Sequence, residues 1–157
     1  MALKISVFCF FAVCLSLIDL RERRLPHVLT LSAALSGGML WVLFPFPETR
    51  LSRLEWVFEG YLSGFLSLGI LAWIFPKGMG MGDAFCLGAI GTFVGAREIP
   101  AVLFVSSVLA LFVIWMMSLR NKKGRFSRMV GIPFGPFLGI GGLVVLLYPD
   151  WLVKIFW

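Results

Sequence analysis

Gly78-Met79-Gly80-Met81-Gly82-Asp83-Ala84-Phe85-Cys86 opens the stretch that decides the fold, which runs on through Leu87, Ile90 and Phe93 to Ala96. Its clean apolar part, Ala84 to Gly95, is only twelve residues long. That makes about 18 Å of helix at 1.5 Å per residue, whereas a spanning helix needs about 20 largely apolar residues. The stretch crosses a bilayer if the glycine segment before Asp83 also lies at membrane depth, or if the bilayer thins locally. Whether it crosses decides the orientation of everything after it.

The surrounding chain argues that it does. The 157 residues are 60% hydrophobic and 14% charged, with seventeen Gly and a mean hydropathy of +0.97, the composition of a polytopic membrane protein. The expected fold is an all-α bundle of about six transmembrane helices in a single domain, residues 1–157. Candidate spans are Leu3–Leu20, Val28–Phe46, Trp56–Phe75, Gly78–Ala96, Ile99–Leu119 and Met129–Tyr148, separated by Pro26, Pro45, Pro47, Pro76, Pro100 and Pro149. Lys4 precedes the first apolar run as in a signal peptide. No small-x-small cleavage site follows, so the run is read as a span.

Charge sets the orientation. With the loops after spans one, three and five inside, that side holds nine basic residues: Arg21, Arg23, Arg24, Lys77, Arg120, Lys122, Lys123, Arg125 and Arg128. The other side holds five, Lys4, Arg50, Arg53, Arg97 and Lys154, with most of the acids. Basic residues favour the cytoplasmic side, so both termini are expected outside. A re-entrant fourth segment would flip the Arg120–Arg128 cluster outward. The pI near 9.7 thus reflects topology, and nucleic acid is not an expected partner, because no polar groove-reading element exists. Anionic lipid suits the basic loops better.

Smaller features complete the reading. Cys9, Cys14 and Cys86 form no Cys-x-x-Cys pair, so no structural metal and no cofactor are expected. Between Arg50 and Glu59, Leu51, Leu54 and Phe58 recur at helical spacing, predicting a short amphipathic helix on the outer surface with Trp56 at the interface. Gly60/Gly64, Gly91/Gly95 and Gly131/Gly135/Gly139 have the spacing of close-packing seams. Pro133 and Pro136 can kink the sixth span.

Two acids stand out. Asp19 ends the first span and Asp83 begins the fourth, 64 positions apart yet at the same predicted face. An ionisable group at mid-bilayer costs roughly 2.5–3.5 kcal/mol on insertion scales and usually faces a protein interior or watery cavity. Two carboxylates a few ångströms apart cannot both ionise cheaply. One can then deprotonate a water while the other donates a proton to a scissile carbonyl. Gly78, Gly80 and Gly82 would free the backbone before Asp83 and clear space for an extended substrate. The alternative is a flexible loop in which Asp83 caps the fourth helix.

Gly80-Met81-Gly82-Asp83, Asp19 followed by Leu25-Pro26, and Ile132-Pro133-Phe134-Gly135-Pro136-Phe137-Leu138 together resemble the type IV prepilin peptidases, bacterial membrane aspartic peptidases of the Gly-x-Gly-Asp type. The resemblance covers nearly the whole chain. It implies removal of the short leader from prepilins or pseudopilins at the cytoplasmic face of the inner membrane. Asp19 and Asp83 would be the catalytic pair, with Gly80, Gly82, Pro26, Pro133, Gly135 and Pro136 shaping the backbone. Many members also N-methylate the new terminus and carry paired Cys-x-x-Cys motifs. This sequence shows none, so methylation is not expected. Phe85 stands where a Lys is common, and His27 where Asn or Asp often follows the proline. Two other readings stay open: a catalytically silent paralogue in pilus or secretion assembly, and a small ion-coupled transporter.

Overall fold

The computed structural model describes residues 2–22, 27–43, 50–75, 80–120 and 133–148. These form α1 (Ala2–Glu22), α2 (His27–Leu43), α3 (Arg50–Ile74), α4 (Met81–Val94), a 3-10 turn (Ala96–Glu98), α5 (Ile99–Arg120) and α6 (Gly135–Leu147). No strand occurs among the described residues. In hydrocarbon every backbone N–H and C=O must be satisfied internally, which helices do within one segment.

Among the described residues, three stretches are long and apolar enough to cross a membrane, Leu3–Arg21, Leu54–Ile74 and Ala96–Leu119. Val28–Leu43, Met81–Val94 and Gly135–Leu147 are apolar but shorter. The shortness of α4 has a physical setting. It packs against α3, α2 and α6, while α1 and α5 flank α6, and every residue from Cys86 to Val94 is buried. Protein, not lipid, is its solvent. The molecule is an all-α, multi-pass membrane bundle with α4 near its centre.

Glycine brings α3 and α4 together. A Cβ on Gly60 would run into the Gly91 carbonyl, one on Gly91 into the Gly60 carbonyl, and one on Gly64 would lie 2.5 Å from the Leu87 oxygen. The two predicted seams face each other, as small residues in membrane helices allow. Gly95 does something else: with φ of +99° it ends α4 in a conformation L side chains rarely adopt, and the Trp56 ring occupies the space a side chain would need.

That slot corrects one expectation. Arg50–Glu59 is not a separate surface helix but the first turns of α3. No breaker interrupts Arg50 to Ile74, so the helix continues, and Trp56 turns inward. Its ring lies 4.3 Å from that of Trp41, and the Lys4 ammonium sits 4.0 Å from the Trp41 centroid. The beginnings of α1 and α3 and the ends of α2 and α4 therefore meet at one end of the bundle.

A second correction concerns the prolines. Pro133 precedes α6, and Pro136 lies in its first turn, where a missing N–H interrupts no intrahelical bond. Neither kinks a helix. Gly131 lies outside the described residues. Gly139 does lie on the α1 seam, with room for a Cβ 3.4 Å from that of Ala12.

Candidate active site

Asp19 and Asp83 occupy the end of the bundle opposite Lys4 and Trp56. Asp19 lies in the last turn of α1 and is only 6% exposed. Asp83 is the third residue of α4 and is half-buried. The two carboxyls are within electrostatic range of each other. The start of α6 completes the group: the Gly135 N–H donates to Asp19 Oδ2 at 3.0 Å.

Asp83 does not cap its helix. The N-cap is Gly80 and no side chain bonds there, while the Asp83 N–H donates to the Gly80 carbonyl at 3.2 Å. The side chain is therefore left for other work. The expected conformational role is not realised at Gly80 or Gly82. Gly80 is extended, with φ of −81° and ψ of 142°, which any residue adopts, and Gly82 is helical. At Gly80 a Cβ would meet no described atom nearer than Gly82 N at 3.9 Å, so packing does not require glycine there either.

Pro26 and Gly78 lie outside the described residues. His27 is the first residue of α2. Phe85 points away from the carboxyls, because two residues along a helix turn the side chain to the far side. Its ring packs 5.0 Å from that of Phe65 on α3.

Sequence reasoning missed Cys86 as a neighbour of the pair. The buried Cys86 lies in the field of both carboxyls. The three-residue spacing from Asp83 was the available signal. Beyond it, an apolar cavity of about 20 Å³ is lined by Phe8, Leu15, Cys86, Ile90, Phe93 and Gly135, among others. That is barely the room one water needs, and apolar cavities stay dry.

Three helix ends thus converge two acids and a backbone donor in a protein-lined site, a constellation suited to acid–base work on a polar bond. A model of the family described as type IV leader peptidase family matches residues 6–115. The prepilin leader peptidase/N-methyltransferase of Aeromonas salmonicida (strain A449) is 36% identical over 148 residues, covering 88% of this chain and 46% of its own length. Proteins with the same name from Xanthomonas campestris pv. campestris and Pseudomonas aeruginosa are 34% and 32% identical, covering 94% and 90% of this chain and 50% and 48% of their own lengths. The chain spans about half the length of these relatives. No solved structure matches it. The family match covers most of the sequence, including both aspartates, and the chain belongs to the type IV leader peptidase family.

Proposed function

We propose that the protein is a membrane aspartic endopeptidase that removes the short leader from type IV prepilins or pseudopilins, with Asp19 and Asp83 as its catalytic pair. The observation that carries this reading is that Asp19 and Asp83, from two different apolar helices, lie at one end of the bundle in electrostatic range of each other. Relatives named prepilin leader peptidases supply the substrate class. The site faces the cytoplasm in the bacterial inner membrane, and both termini lie outside, as the excess of basic residues at that end favours.

The chemistry follows from sharing a proton. The ionised carboxyl takes a proton from a water held between the two, and the resulting hydroxide attacks the scissile carbonyl carbon. The protonated carboxyl donates to the carbonyl oxygen, and the proton taken from water goes to the departing amine as the C–N bond breaks. The pair titrates as a unit. The lack of side chains at Gly80 and Gly82 leaves an extended substrate room beside Asp83. The substrate's hydrophobic helix lies against the spans.

The test is cleavage of a purified prepilin by the detergent-solubilised protein. The wild type should release the leader, while Asp19→Ala and Asp83→Ala should insert normally and release none. Cleavage surviving either substitution would remove that residue from the mechanism.

A further inference from the structure

Helix α6 begins with few free amides. Its first residue is Gly135 and its second is Pro136, which has no N–H. The next two, Phe137 and Leu138, both donate to the Phe134 carbonyl at 3.1 Å. Helix N-termini ordinarily leave several amides without intrahelical partners. Among the first four residues of α6, Gly135 to Leu138, only the Gly135 amide is without an intrahelical partner, and it is spent on Asp19 Oδ2 across 116 positions of sequence. The fit is close, since a Cβ on Gly135 would lie 2.6 Å from that oxygen and 3.2 Å from Asp19 Cγ.

We infer that this amide gives the two oxygens of Asp19 different jobs: Oδ2 is anchored to α6, and Oδ1 is the oxygen that meets the catalytic water and Asp83. Gly135 is then a positioning residue that acts through Asp19. The inference rests on the peptidase reading above. A carboxyl tied at one oxygen keeps one orientation and one working edge, and hydrolysis by a pair sharing one water is sensitive to displacements well below an ångström. Glycine is required at 135 because a side chain would push the anchored oxygen away, and proline at 136 removes a donor that would compete for it.

Nonsense suppression with glycolic acid at position 135 tests this, because an ester oxygen replaces that one N–H and every side chain stays. On a purified prepilin the ester protein should lose kcat by about tenfold to a hundredfold, as for a hydrogen bond to a charged group. KM should stay within about twofold, because substrate binding is untouched. The same replacement at Gly139, an ordinary helical amide one turn on, should leave kcat within about twofold of wild type. An ester at 135 with near wild-type kcat overturns the assignment. So does an equal loss from the ester at 139, which would make the effect one of α6 stability. A wild-type protein that leaves prepilin intact would sink the peptidase reading itself, and this inference with it.

Discussion

An asparagine at position 19 keeps an oxygen where the Gly135 N–H needs one but cannot shuttle a proton. Asp19→Asn and Asp83→Asn should therefore fold and insert like the wild type while cleaving prepilin about 10²–10⁴-fold more slowly, the usual contribution of a general acid or base. Mass spectrometry of the released leader measures the loss. Phe85 should behave oppositely. Its ring packs on Phe65 at 5.0 Å, on the side of α4 away from the carboxyls, so Phe85→Leu should cost about 1 kcal/mol of stability. Its kcat should stay within about twofold of wild type, and thermal unfolding in detergent alongside steady-state kinetics separates the two effects. At this scale the acids were legible because a carboxyl in an apolar run contradicts its surroundings. The donor to Asp19 was not, because a backbone amide leaves no mark in the sequence beyond the glycine that bears it.

Helices approach as closely as their smallest residues permit, and the α3–α4 seam is set by backbone rather than side chains. Because the atoms a Cβ would strike at Gly60 and Gly91 are carbonyl groups, neither can move aside without separating the helices. Gly60→Ala and Gly91→Ala should each destabilise by about 1–3 kcal/mol, the cost of overpacking. Gly139→Ala meets only ordinary contacts, Ala12 Cβ at 3.4 Å and Ser16 Oγ at 3.5 Å, and should cost less than about 1 kcal/mol. Unfolding in graded denaturing detergent ranks the three, and equal losses would contradict the seam. Four-residue glycine spacing identified the seams, yet spacing does not say which seam meets which. Gly95 shares the spacing of Gly91 but receives Trp56 instead. Sequence also divided Arg50–Glu59 from the span after it, because polar residues there resemble an interfacial helix. The division failed since helix continuity depends on the absence of a breaker, and a slot for Trp56 at Gly95 exists only once α3 and α4 have packed.

Charge acts on the molecule as a whole. One end gathers Lys4, Trp41, Trp56 and Gly95, and the other gathers Asp19, Asp83 and the start of α6. The alternation of the first four helices is thus built into contacts, but contacts alone do not say which end faces the cytoplasm. The basic residues bear on that question, since they gather in the segments that adjoin the aspartate end. Their excess should hold that end inside, because moving Lys and Arg across a bilayer is opposed during insertion. Single cysteines at Lys122 and at Arg97, placed in a background lacking Cys9, Cys14 and Cys86, test this in intact cells and in inverted vesicles. Position 97, in the exposed 3-10 turn beside Gly95, should react with a membrane-impermeant maleimide from the outside. Position 122 should react only in inverted vesicles. Labelling of 122 in intact cells would put the carboxyl pair on the far side of the membrane from any precursor still carrying its leader, and the aspartates would then need a different substrate.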